Sequence, residues 1–297
     1  MCQFILSRFA MLIEFLLIIM PVALLVVKVM QWTGNYLVLA FFLCTAAVTL
    51  LVKLIYPRLI EPLFSTNEEL PEWMSPLRFH IVHEAERAGF GGGQDIFMER
   101  SNFNDMHANA SASMGKIKIG LPLIKVHAKY PCEIVAILVH ELGHFKQKWW
   151  LTQAVVDTVY MVVYGTLLWM LTNSAPFLLS FGFYQQSYFA SFYLFTSLYL
   201  VSLDVPIRIG MRWISRWQEI DADNYAVSRG YGVEFKSALI RSYASSHDNL
   251  FTSWIDRALN DTHPTLCERL ANIDAQFKAD PSLEHQEKNR NNQINGL

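Results

Sequence analysis

Residues Glu133 to Gln147 read EIVAILVHELGHFKQ, which places His140 and His144 four apart with Glu141 beside the first. On a helix, positions i and i+4 share a face one turn apart, so both imidazoles can address one ion while a carboxylate stands next to it. The apolar run before them, Ile134, Val135, Ile137, Leu138 and Val139, would bury such a helix. A helix with two incidental histidines would show the same pattern, so a second block has to support it. A catalytic zinc needs a third protein ligand and an open position for water. Ser215–Asp223, SRWQEIDAD, offers that ligand: Glu219 and Asp223 are again four apart on a predicted helix, and Asp221 faces elsewhere. Glu219 is the candidate third ligand. Asp223 is the candidate acceptor of a hydrogen bond from a ligating histidine, which would fix the tautomer of that ring. One zinc per chain, held by two neutral imidazoles and one carboxylate, keeps a positive charge and can lower the pKa of bound water toward roughly 7. Glu141 would take the proton as general base and return it to a leaving amine. His263 and Arg269, in THPTLCERL, are candidates to stabilise the oxyanion. The chemistry is hydrolysis of a peptide bond. His80 and His83 stand among Glu84, Glu86 and Arg87 and read as a solvated helix face, while His107, His127, His247 and His285 have no identifiable partner.

The elements that must position these residues belong to an unusually apolar chain. Of 297 residues, 53% are hydrophobic and only 17% are charged, against roughly a quarter in soluble domains. A formal net charge of −2 argues against a dedicated nucleic-acid binder, and the composition excludes a disordered chain. Cys2, Cys44, Cys132 and Cys267 lack the paired spacing of a disulfide scaffold or a zinc ribbon. The apolar mass falls in four segments, each near the length of about 20 residues that crosses a bilayer, which predicts transmembrane helices near 9–31, 36–56, 150–172 and 187–207. Lys53 and Arg58, Lys146 and Lys148, and Arg208, Arg212 and Arg216 flank them on one side, while the connection from Asn173 to Gln186 carries no charge. The positive-inside rule then puts both termini and both long polar segments in the cytosol. The expected division is two N-terminal spans in 1–56, the first half of a catalytic domain in 57–149, two spans in 150–207, the second half in 208–277 and a disordered tail in 278–297. The first polar segment reads as mixed α/β, with a helix over Glu72–Ala88 stopped by Gly89 and strands over Asp95–Glu99 and Lys116–Ile119.

Three blocks follow in order: H-E-L-G-H, then S-R-x-x-E-x-x-A-D beyond two predicted spans, then H-P-x-L-x-x-R-L. Together they resemble the integral-membrane zinc metallopeptidases that include CAAX prenyl protease 1 and the HtpX-type proteases, over about Leu54 to Asp274. Tyr56–Phe64, His107–Ala110, Phe181–Tyr184, and Ser237–Ile240 with Asp248–Leu250 and Trp254 resemble the CAAX prenyl protease 1 branch more closely. The resemblance implies a mostly α protein: a four-helix transmembrane bundle with a cytosolic α+β gluzincin-type zinc metalloprotease domain. It implies zinc on His140, His144 and Glu219, Glu141 as base, Asp223 behind the ligands, and His263 and Arg269 at the transition state. Asn109 and Ala110 would lie on an edge strand that takes the substrate main chain by β-augmentation. The implied reaction removes the last three residues of a prenylated CAAX protein at the endoplasmic reticulum membrane. The implied partners are that substrate and the lipid bilayer, with no nucleic acid and with self-association left open. Two features depart from this branch: Gly115 stands one place late in N-A-S-A-S-M-G, and four spans are fewer than CAAX prenyl protease 1 has. An HtpX-like quality-control protease, of the kind found in bacterial inner membranes, is the alternative. A non-catalytic scaffold is disfavoured, because every ligand and the base are present.

Overall fold

Alternating lysine and isoleucine from Lys116 to Ile119 send side chains to opposite faces of a strand, and in the computed structural model both isoleucines are fully buried. The structure describes residues 20–52, 55, 67–68, 70, 72–90, 95–99, 110–113, 116–246 and 253–283. Asn109, the Tyr56–Phe64 block and the beginning of the expected span 9–31 lie outside the described residues. Along the chain, α1 (Met20–Thr33) and α2 (Leu37–Leu50) are joined by a 3-10 turn at Gly34–Tyr36. Then come β1 (Asn67–Glu68), α3 (Ser75–Ala88), β2 (Asp95–Glu99), β3 (Ala110–Ser113), β4 (Lys116–Gly120), α4 (Leu121–His127) and α5 (Pro131–Lys146). They are followed by α6 (Trp149–Thr172), α7 (Ala175–Ser180), α8 (Tyr188–Ser202), α9 (Asp204–Ser228), α10 (Gly232–Ser246), α11 (Trp254–Asn260) and α12 (Leu266–Ala279). The chain divides into two units, Met1–Val52 with Ala154–Ile207 and Lys53–Gln153 with Arg208–Leu297.

The first unit holds the apolar helices. Met20–Leu50 and Trp149–Thr172 are long and apolar enough to cross a bilayer, and α8 with α9, bent by 53°, makes a third such segment. These are the segments of that length and apolarity among the described residues; the beginning of the expected span 9–31 lies outside them, and two local features shape the others. Between α1 and α2, Gly34 at φ 51° takes a left-handed conformation, so the α-helical ladder gives way to the 3-10 turn Gly34–Tyr36 at the predicted break. At the other end, α8 has 15 residues and covers about 22 Å, short of the ~30 Å hydrocarbon core. Pro206 has no N–H for the Ser202 carbonyl, so the helical ladder breaks there. Met30, Leu37, Leu168, Phe195 and Tyr199 form the core of this unit. A Cβ on Gly165 would stand 3.0 Å from the Phe41 ring, so glycine permits that approach.

The second unit is a four-stranded sheet with helices packed on it. The strand order is β1-β2-β4-β3, with β2 and β4 parallel and the outer pairs antiparallel. Ile96, Met98, Ile117 and Ile119 join Ile81, Ala85, Ile134, Leu138 and Phe235 in one core. Gly89 ends α3 at φ 76°, a left-handed conformation open to glycine. Two expectations change here. Glu84 is 5% exposed rather than on a solvated face, because Arg229, just past the end of α9, donates to its Oε2 through Nε at 3.0 Å and Nη2 at 2.8 Å. The expected tail from Lys278 starts too early: α12 runs through Ala279 and Leu283 packs against the core, while residues from 284 onward are outside the described set. His127 also has partners, which sequence separation concealed. Its Nδ1 lies 2.6 Å from Glu133 Oε2, and its Nε2 lies 3.1 Å from Ser242 Oγ, 115 residues away.

Candidate metal centre

His140 and His144 project from one face of α5, and Glu219 faces them from α9. One ligand atom from each lies within 4.8 Å of the others. His140 Nε2 is 3.6 Å from Glu219 Oε2, and His144 Nε2 is 3.4 Å from Glu219 Oε1. Donors about 2.0–2.1 Å from a tetrahedral zinc are separated by roughly 3.4 Å, so each imidazole stands from the Glu219 carboxylate at about the spacing such an ion requires. The three residues fit a zinc ion by donor type as well as by distance.

Close approach of α5 and α9 makes this convergence possible. A Cβ on Gly143 would meet the Ala222 Cα and Tyr225 Cβ at 3.1 Å and the Ala222 carbonyl oxygen at 3.2 Å. A mid-helix glycine costs about 1 kcal/mol relative to alanine, and here its missing side chain admits the neighbouring backbone. Beyond Gly143, Gln147 Nε2 donates to the Asp221 carbonyl at 2.9 Å and ties the end of α5 to α9.

Behind the ligands, Asp223 is fully buried. Its Oδ1 lies 3.0 Å from His140 Nδ1, close but without the alignment of a formed hydrogen bond. Arg269 of α12, 7% exposed, grips Asp223 with Nε at 2.9 Å and Nη2 at 2.5 Å. Its Nη2 is also 3.8 Å from Glu219 Oε2. The guanidinium therefore sits behind the ligands with Asp223. His263, with 61% of its side chain exposed, places Nδ1 3.0 Å from Glu219 Oε2. Phe235 of α10 stacks on the His140 ring at 5.0 Å and 20°, and the Arg269 guanidinium stands 5.4 Å from the same Phe235 ring. Sequence reasoning missed Phe235, since a phenylalanine at helical spacing reads as ordinary core. It also passed over Gly143, although a glycine inside an otherwise strong helical run is a readable sign of close approach.

The electrostatics follow from this crowding. Burial pushes the Glu141 carboxyl above its ordinary value, although His140 and His144 act the other way. Burial would raise Glu219 too, but hydrogen bonds from His144 and His263 outweigh it and hold that carboxylate far below the usual range. Asp223 is likewise lowered: burial opposes ionisation, and the Arg269 charge overcomes it. Burial would lower His144 and His263, and Glu219 raises both. The arrangement can thus hold a cation on an ionised carboxylate, beside a more basic carboxyl suited to accepting a proton. Of the two residues expected on an edge strand, Ala110 opens β3, which is at the edge of the sheet, and Asn109 lies outside the described residues. The strand β3 packs beside α5.

Residues 81–276 match the profile of peptidase family M48, and residues 1–66 match a profile described as CAAX prenyl protease N-terminal, five membrane helices. A CAAX prenyl protease 1 homolog of Arabidopsis thaliana is 28% identical over 266 residues, covering 87% of this chain and 61% of the plant protein. A homolog of the same name from Dictyostelium discoideum is 29% identical, covering 86% of this chain and 60% of its own length. The chain therefore spans about three fifths of the length of these relatives. Among solved structures, that of S. mikatae Ste24p matches with a TM-score of 0.73 at 23% identity, over 91% of this chain and 66% of that one. This likeness shows a shared fold.

Proposed function

The chain belongs to peptidase family M48, and from that premise we propose that it is a membrane-embedded zinc metalloendopeptidase that removes the C-terminal tripeptide of prenylated CAAX proteins. The observation that carries the reading is the convergence of His140, His144 and Glu219 within 4.8 Å, with Glu141 next to the first ligand. A zinc ion bound there supplies a Lewis acid that polarises a peptide carbonyl and acidifies water. Glu141, made more basic by burial, accepts the proton of the attacking water and passes it to the amine of the departing tripeptide. His263, beside Glu219, is the exposed group best placed to donate to the oxyanion. Arg269 acts one layer back: it keeps Asp223 ionised and in place behind His140, and is thus a positioning residue more than a donor to substrate. An extended substrate would pair with the open edge of β3, beginning at Ala110 and, by extension, Asn109, beside the helix that carries the base.

The reading takes the four spans expected near 9–31, 36–56, 150–172 and 187–207 as a four-helix bundle. The α+β unit, of gluzincin type, is cytosolic, and the membrane is that of the endoplasmic reticulum. The prenyl specificity rests on the similarity to CAAX prenyl protease 1 homologs. It is tested with a farnesylated CAAX peptide and its unprenylated twin, each with and without a chelator, on detergent-purified protein. Chelator-sensitive release of the tripeptide from the farnesylated peptide alone is expected. Equal cleavage of both peptides would replace the prenyl reading with the broader HtpX-like one. No cleavage of either by protein holding one zinc per chain would overturn the peptidase assignment.

A further inference from the structure

On α9, one turn before Glu219, stands Arg216. Its Nη1 donates to two main-chain carbonyls, those of Arg257 at 3.0 Å and Asp261 at 2.9 Å. Both oxygens lie at the C-terminal end of α11, where a cation is favoured, and the Arg257 carbonyl also accepts from the Asp261 amide at 3.3 Å. Two residues further along, His263 Nδ1 lies 3.0 Å from Glu219 Oε2. Two side chains of one helix thus hold the same short segment at two points: Arg216 at its backbone and Glu219 at its histidine. The segment is tied again on its far side. Arg257 pairs with Glu268, whose Oε2 accepts from the Thr265 amide at 2.9 Å and whose own amide donates to Thr265 Oγ1 at 3.3 Å. His263 therefore stands on a stretch pinned at 257, 261 and 265, with most of its side chain exposed.

We propose that Arg216 is a positioning residue: it clamps the end of α11 to α9 so that His263 is presented over Glu219. This rests on the metallopeptidase reading for its kinetic consequence, whereas its structural consequence is independent of that reading. One guanidinium nitrogen serving two carbonyls fixes a direction that an ammonium reproduces only in part, so Arg216→Lys should be intermediate and Arg216→Ala severe.

The experiment follows hydrogen exchange and turnover in full-length wild type, Arg216→Lys, Arg216→Ala, His263→Ala and the Arg216→Ala/His263→Ala double variant. Amides from 258 to 266 are expected to exchange at least tenfold faster in Arg216→Ala, with exchange across α5 unchanged and bound zinc equal to wild type. Turnover should fall at least tenfold in kcat with KM nearly constant, recover partly in Arg216→Lys or with added guanidinium ion, and fall no further in the double variant than in His263→Ala. Unchanged exchange in 258–266 would overturn the clamp whether or not the protein cuts a peptide. With exchange altered, additive losses in the double variant would overturn the route through His263. A wild type that exchanges as expected in this series but hydrolyses nothing would count against the peptidase reading and leave the clamp standing.

Discussion

Glu141 and its neighbours divide the work so that each substitution has its own signature. Glu141→Gln keeps the shape and removes the base, so tripeptide release should fall by about 10²–10⁴-fold while zinc, measured by metal analysis, stays at one per chain. His140→Ala and Glu219→Ala should instead lose the metal. Asp223→Asn should weaken metal affinity by roughly 10–100-fold. It should also destabilise the protein, because buried Arg269 keeps only the more distant Glu219 carboxylate as counter-charge, at a cost of up to about 3–5 kcal/mol. His127 makes a pH prediction away from the site. Burial lowers its pKa from the ordinary 6.5, against the pull of Glu133. As pH falls below 6.5 the unfolded chain takes up a proton that folded His127 resists, so stability drops by up to about 1.4 kcal/mol per pH unit. Thermal midpoints in detergent should fall from neutral to mildly acidic pH, and His127→Gln should flatten that slope. A slope unchanged in the variant would contradict it. At this scale the sequence is informative where chemistry is local. His140, Glu141 and His144 are readable because helical spacing alone brings them together. His127 with Ser242 and Phe235 with His140 are joined only by tertiary packing, which a single sequence does not display.

Among elements, the contact of α5 with α9 matters most. Gly143→Ala would drive a methyl against the Ala222 main chain at 3.1–3.2 Å, and backbone cannot yield as a side chain can. A loss of about 1–3 kcal/mol is expected, together with weaker zinc binding, read by thermal melting and metal titration. Retained affinity would show that the helices can part without moving the ligands. The Glu84–Arg229 pair joins α3 to the end of α9. Removing one partner should cost about 3–5 kcal/mol, and replacing both by apolar residues should cost less than either single change; a thermal double-mutant cycle reads this. The elements themselves were legible in proportion to their periodicity. α3, β2, β4 and α5 carry strong patterns and appear with nearly the predicted bounds. β1 has two residues and β3 reads ASAS, too short or too small-chained to signal a strand. The break between α8 and α9 was hidden because apolar composition continues across Leu203 while Pro206 interrupts only the hydrogen bonding.

For the whole molecule, the concentration of apolar residues in separate segments was plain from composition, whereas hydropathy does not mark where a helix turns, as at Gly34–Tyr36, or breaks, as at Leu203. Proposed topology makes a direct prediction: a protease-sensitive tag between Leu178 and Gln185 should be shielded in sealed microsomes and cut after detergent. Cutting in intact vesicles would refute the orientation. The second unit is discontinuous in sequence, residues 53–153 and 208–297 with the apolar helices of residues 154–207 encoded between them. During synthesis, the ribosome therefore makes the helix bearing both histidines well before the one bearing Glu219. A nascent chain halted ahead of residue 208 holds both histidines of the donor set but not Glu219, so a truncation there should bind zinc far more weakly than the full chain.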